Sequence, residues 1–478
     1  MSELHQQAIN YVYLQVLQKL QCHYSHRQRL ALEELIRRII LAAGGHEQLR
    51  DYKIMVAHNG GRDTTQAVAF LRAAQLSLPL RYGQSFKLRI VTCHQGPLGD
   101  PITRNLERLY AALFVEDDPR VETLLADEHG VTAFPAPDPA VQPQPAPPCL
   151  DLLMAGQLTG ADTRATFCHI DHQRHARALQ RSLNWDGGVN ALVRLETPRQ
   201  RNQYLLWSRQ ISRRAQALDH HRVPDSLAQS LRELQLGLGE TPCMPPRVQS
   251  LTLHDLMGEV LAAPSIPLLE FLGFHLGGMS GAVRQADYAH PILLAHIAGL
   301  RAEALTLLDY RDGVEHYLTL AEPHLRHSLL PDSLVRTALA GYNGKTLATH
   351  RKRANALLQS RYGLGETQLV CMLFAPFVDH GAGLARYLQH CHQSMPLALP
   401  YLHNALRGES VPKPVEQWLT QYSGLPLSHL RKLYTMARVH VDDDPVRLAN
   451  TQHWPVARRG MSGLHPVTGL PAATHADD

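Results

Sequence analysis

The segment that most constrains this chain is an apolar run at residues 52–58, a glycine turn at 59–63 and a helical pattern at 64–76. The run is rich in β-formers, two adjacent glycines permit a turn other residues resist, and helical spacing follows at once. Residues 88–93 form a second apolar run, followed by a Gly/Pro loop and a helical pattern near 102–114. Strand, turn, helix, strand is the rhythm of a parallel α/β sheet. It resumes as helix at 150–158, strand at 163–169, helix at 172–183 and strand at 191–195.

The flanks read differently. Residues 3–44 give two amphipathic helices, the second opened by a capping box of Ser25 and Gln28. Its apolar face is Leu30, Leu32, Leu35, Ile36, Ile39 and Ile40, and Gly44-Gly45 ends it. Seven prolines between residues 134 and 149 exclude helix and central strand, so this stretch is an extended spacer, with an SH3-type ligand the alternative. Residues 227–438 are rich in Leu and Ala and read as mostly helical, and 451–478 read as disordered. The expected architecture is α/β. An N-terminal helical extension (1–50) precedes a parallel-sheet, Rossmann-like unit (51–225) carrying the Pro-rich insertion 134–148. An all-helical domain (226–445) and a disordered tail (446–478) follow.

Composition narrows the function classes. A net charge of +4 over 478 residues excludes a global nucleic-acid signal, so any such role rests on local patches. The polar N-terminus and the absence of a long apolar run predict neither secretory signal nor membrane span. Seven scattered cysteines without a CxxC pair exclude a zinc ribbon and argue against a disulfide framework. The expectation is a cytoplasmic protein with no membrane partner.

The glycine turn, Asn59-Gly60-Gly61-Arg62-Asp63-Thr64, has anion-binding chemistry. Its glycines let successive N–H groups turn inward, and the helix start adds partial positive charge. Thr64 offers a hydroxyl, and Asp63 a carboxylate for Mg²⁺ bridging phosphate oxygens. A helix-entry turn capped by Asp63 is the plain structural alternative.

This segment resembles the PP-loop of the ATP pyrophosphatase superfamily, Ser-Gly-Gly-x-Asp-Ser/Thr between first strand and helix. Gly60, Gly61, Asp63 and Thr64 match, and Asn59 stands where the family has Ser. Two later places fit the same pattern. The second strand ends in Val91-Thr92-Cys93-His94, where the family flanks adenine. The segment 149–173 resembles the family's helix, Gly-Ala, strand and Gly-His-x-x-Asp-Asp, with His169 and Asp171 as counterparts, Cys168 in place of Gly and no acidic pair. The similarity covers residues 51–215. It implies ATP and Mg²⁺ as ligands, with Asn59, Gly60, Gly61, Asp63, Thr64, Thr92, His169 and Asp171 around the nucleotide and Asp63 on the metal. It further implies adenylation of a substrate with release of pyrophosphate, then displacement of AMP in a thiolation, amidation or similar ligation. The acceptor would be a small molecule or tRNA. In thiolating members a cysteine carries sulfur, which would make Cys93 and Cys168 catalytic beside Asp63.

Other clusters read more plainly. His172 and His175 share a helix face, but a zinc site needs three or four converging ligands. Seven arginines at 194–222, with Tyr204 and Trp207 among them, and the patch 345–353 give either solvated helix faces or contacts to RNA or polyphosphate. The second patch also has the outline of a helix-turn-helix. The rival functional class is therefore a non-enzymatic nucleic-acid-binding or interaction protein on a degenerate PP-loop scaffold.

Overall fold

The computed structural model describes residues 3–93, 100–127, 130–134, 149–163, 166–167, 169–195, 248–256, 266–275, 291–306, 308–327, 336, 342 and 346–439. Two helices, α1 (Glu3–His23) and α2 (His26–Ala43), open the chain. The capping box is present: Gln28 N–H donates to Ser25 Oγ at 3.3 Å, and Ser25 N–H to Gln28 Oε1 at 2.8 Å. The α/β segment follows as β1 (Lys53–Ala57), α3 (Arg62–Tyr82), β2 (Lys87–Cys93), α4 (Asp100–Leu113), β3 (Val121–Ala126) and β4 (Val131–Ala133). Then come α5 (Leu150–Thr159), α6 (His169–Asn184), β5 (Ala191–Arg194) and β6 (Gln249–Thr252). The remaining helices are α7 (Ile266–Phe271), α8 (Pro291–Thr306), α9 (Tyr310–His327), α10 (Leu347–Tyr362), α11 (Glu366–Phe374), α12 (Leu384–Cys391), α13 (Leu399–Arg407), α14 (Lys413–Ser423) and α15 (Leu427–Tyr434).

The sheet has six strands in the order β4-β3-β2-β1-β5-β6. All neighbours are parallel except β4, which pairs antiparallel with β3 as an edge hairpin. This is an α/β fold compatible with a Rossmann-like domain. Strand alternation divides the core. Ile54, Val56, Leu88 and Ile90 face α1–α4 and α7, whereas Met55, Val91, Leu124 and Ala126 face α6. A third core holds α5, the start of α6 and the helices from α8 onward.

Three expectations change. The described residues of 163–169 form no strand: Thr166 and Phe167 lie in a π-helical turn, and α6 begins at His169. Thr166 N–H reaches the Asp162 carbonyl at 2.9 Å, its hydroxyl pairs with that of Thr159, and Phe167 packs edge-on to Tyr362. Packing overrides the β-propensity of Thr and Phe. Second, the stretch expected to be all-helical supplies β6, which pairs with β5 from Ala191↔Gln249 to Arg194↔Thr252. Four residues with one buried leucine are too short to show periodicity. Third, α5 packs in the helical core rather than on the sheet. The tail 446–478, the prolines at 135–148 and the arginines at 199–222 lie outside the described residues. Among the described residues, no helix is long and apolar enough to cross a membrane.

Candidate functional site

β1 is a central strand, and the strand order reverses around it: β2 and β3 lie to one side, β5 and β6 to the other. Carboxyl ends at such a reversal form the crevice where open α/β sheets take ligands. The glycine turn sits there. His58 N–H extends the β1–β2 pairing by donating to the Val91 carbonyl at 2.8 Å. Gly60 then takes φ +72°, a left-handed conformation that a Cβ disfavours, and Gly61 caps α3. The 21 residues of α3 direct their first-turn N–H groups at this turn.

Asn59 organises the interior of the turn. Its Oδ1 accepts from Gly61 N–H at 3.0 Å and from the Thr64 hydroxyl at 2.7 Å. The Asn59 oxygen thus takes up two donors of the turn, one from the backbone and one from a side chain. The Asp63 carboxylate accepts from Arg62 Nε at 2.9 Å; Arg62 is buried, and Asp63 stays partly open to solvent. Outside the turn, Asn105 on α4 donates from Nδ2 to the Gly60 carbonyl at 3.4 Å and to the His275 carbonyl at 2.9 Å. His275 N–H returns a bond to Asn105 Oδ1 at 3.0 Å. The turn is thereby tied to the segment after α7.

Beneath the turn lies a polar group that the sequence reading missed. His58 is buried, its Nε2 paired with Thr65 Oγ1 at 3.2 Å and its Nδ1 without a partner. Burial pushes its pKa down to about 3, so the ring is neutral. The His58 and Tyr110 rings lie 6.2 Å apart. The Tyr110 hydroxyl lies beside that of Thr92, and neither completes a well-aligned bond. His58 follows Ile54 and Val56 on their side of β1, where a lone polar residue among apolar ones was the only available signal. Asn105 and Tyr110 carried none, because their partners are distant in sequence.

The other expected residues divide. Thr92 and Cys93 end β2 next to the turn. Burial pushes the Cys93 thiol up to about 12, so it is protonated at neutral pH, unlike the activated thiol implied by the resemblance. Cys168 and the His169 side chain lie outside the described residues. Asp171 is committed elsewhere. It is buried at 2% exposure and accepts from Arg361 Nη2 at 2.8 Å and the Tyr362 hydroxyl at 2.7 Å. It joins α6 to α10. Among the described residues, no group of three or more His, Cys, Asp or Glu side chains is arranged to hold a metal.

No family model matches the chain, and no match was found among curated proteins or solved structures.

Proposed function

We propose that the chain binds ATP with its phosphates against Asn59–Thr64 and adenylates a substrate, releasing pyrophosphate and then AMP. The observation that carries this reading is the glycine turn at the carboxyl end of β1, where the strand order reverses and a long helix begins. Five parallel strands in the order β3-β2-β1-β5-β6 accord with a PP-loop type of Rossmann-like unit. Gly60, Gly61 and Thr64 would hold the departing pyrophosphate. Thr92 and His169 would lie toward the nucleoside. A lone carboxylate suits Mg²⁺, which takes one or two protein ligands and completes its octahedron with phosphate oxygens and water. Asp63 would be that ligand once Arg62 releases it. The helices beyond β6 would select the acceptor, a small molecule or tRNA, for thiolation, amidation or a related ligation.

The test uses α-labelled ATP, Mg²⁺ and cell extract as the source of acceptor. AMP and pyrophosphate should appear, and Asp63→Ala should reduce both at least tenfold. Asn59→Ser frees Gly61 N–H and Thr64 Oγ, so ATP should bind several-fold more tightly. ATP binding and AMP release unchanged in Asp63→Ala would refute the enzymatic reading. A second reading, a non-enzymatic nucleic-acid-binding or interaction protein, draws support from the Asn59 oxygen filling the turn and from the protonated Cys93 thiol. It expects no AMP, and a tRNA or DNA gel shift that survives Asp63→Ala.

A further inference from the structure

A second concentration of positive charge lies where α5 ends against the helical core. Arg301 on α8 is 8% exposed. Its Nη2 donates to the carbonyls of Gly160 (3.2 Å) and Ala161 (3.4 Å), and its Nε is buried without a partner. Capping the carbonyls that end α5 accounts for one nitrogen of this guanidinium and leaves the Nε unexplained. Arg438 lies across Gly160 so closely that a Cβ there would overlap its Nη2. The segment carrying Arg438 is pinned from both sides: Val439 N–H donates to the Leu158 carbonyl at 2.8 Å and Arg438 N–H to Asp379 Oδ1 at 3.0 Å. Arg386 on α12 donates to the Leu305 carbonyl on α8 at 2.8 Å and adds its charge to the field at Arg438. Among the described residues, Asp162 acts on Arg301 and Asp379 on Arg438.

The backbone around these arginines is strained. Ala161 (φ +53°), Asp379 (φ +50°) and His380 (φ +55°) are three of the six non-glycine residues with left-handed backbone among the described residues. Each such residue is disfavoured and persists only where its surroundings impose it. A buried guanidinium with an unanswered Nε is also expensive. Left-handed backbone and a buried donor without a partner thus meet at one place.

We propose that Arg301 and Arg438, with Arg386 beside them, form a phosphate-binding site at the α5 terminus, separate from the glycine turn. Guanidinium groups suit this ligand because their planar N–H pairs match two phosphate oxygens at once. Either a small phosphorylated molecule or a nucleic-acid backbone supplies that group.

Titration of the full chain with inorganic phosphate at fixed ionic strength, followed by calorimetry, tests the site. Phosphate should bind saturably. Arg438→Gln should weaken this binding at least tenfold and Arg438→Lys only partly, while Arg37→Gln, which removes an exposed arginine of α2, should leave it intact. Circular dichroism checks that each variant folds; should Arg438→Gln fail to fold, Arg386→Gln should still weaken binding about threefold. A single-stranded oligoribonucleotide that competes with phosphate identifies a nucleic-acid backbone as the source. Phosphate binding indifferent to the oligonucleotide identifies a small ligand. No saturable binding, equal binding by the wild type and Arg438→Gln, or loss in Arg37→Gln alone would each overturn the proposal.

Discussion

Buried imidazoles set the acid limit of this protein. Burial lowers the pKa of His58 to about 3 and of His175, His296 and His350 to about 4. His296 is held from two sides, by the Tyr310 hydroxyl at Nδ1 (2.8 Å) and Asn355 Oδ1 at Nε2 (3.2 Å). Glu366 pulls its pKa up and Arg351 pushes it down, while at His350 burial is joined by the positive charge of Arg353 and by the repulsion that a proton on His296 would add. In the unfolded chain each ring takes a proton near pH 6.5, which the folded protein refuses until about pH 3 or 4. Stability is therefore complete above about pH 6.5 and falls as the pH drops through that window, by roughly 3 kcal/mol for each such histidine. Urea midpoints measured from pH 8 to pH 4.5 should fall steeply, and His296→Gln should flatten the slope. Sequence alone located the turn of Gly60, Gly61, Asp63 and Thr64, because turn chemistry is local. It could not single out His58, His296 or His350 among 29 histidines, because burial depends on which distant elements cover a residue.

Among the elements, α3 is covered on both sides. Nearly every residue from Arg62 to Leu78, Arg72 and Gln75 included, is buried between the sheet and the helices α1 and α2. Periodicity reports one apolar face and is blind to a helix covered on both. The buried polar groups answer one another. Arg72 Nη1 donates to Asp118 Oδ2 at 2.7 Å and to Gln75 Oε1 at 2.6 Å, while Nε and Nη2 reach the carbonyls of Leu113 and Phe114. Arg120 bonds both oxygens of Asp118, and the Tyr13 ring lies beneath both arginines. Although burial opposes it, Arg120 and Arg72 hold the Asp118 carboxyl down to about 2. Asp118→Asn strands a buried cation and should cost about 3–5 kcal/mol in urea unfolding. The exposed pair Arg81–Glu33 provides the contrast: Glu33→Gln should cost less than about 1 kcal/mol.

At the scale of the molecule, a boundary at residue 225 cuts through two shared structures. β6 arrives from beyond it to pair with β5, and α5 before it contributes Leu152, Leu153, Met154 and Leu158 to the core of α8–α15. A fragment ending at residue 225 should expose those four side chains and the edge of β5, and size-exclusion chromatography should find it aggregated. The α/β rhythm up to β5 was readable because each unit is short and local. The return of β6 was not, since pairing partners more than fifty residues apart leave no periodic trace.

That late return sets a delay during synthesis. A ribosome adding about 5–20 residues per second delivers β5 several seconds before β6, and α5 waits longer still for its helical partners. Throughout that interval the nascent chain presents an open strand edge and a greasy helix with nothing to cover them. The edge of β5 and the apolar face of α5 are both completed by segments made later, so a holding chaperone is needed from residue 194 until the helices α8–α15 have emerged.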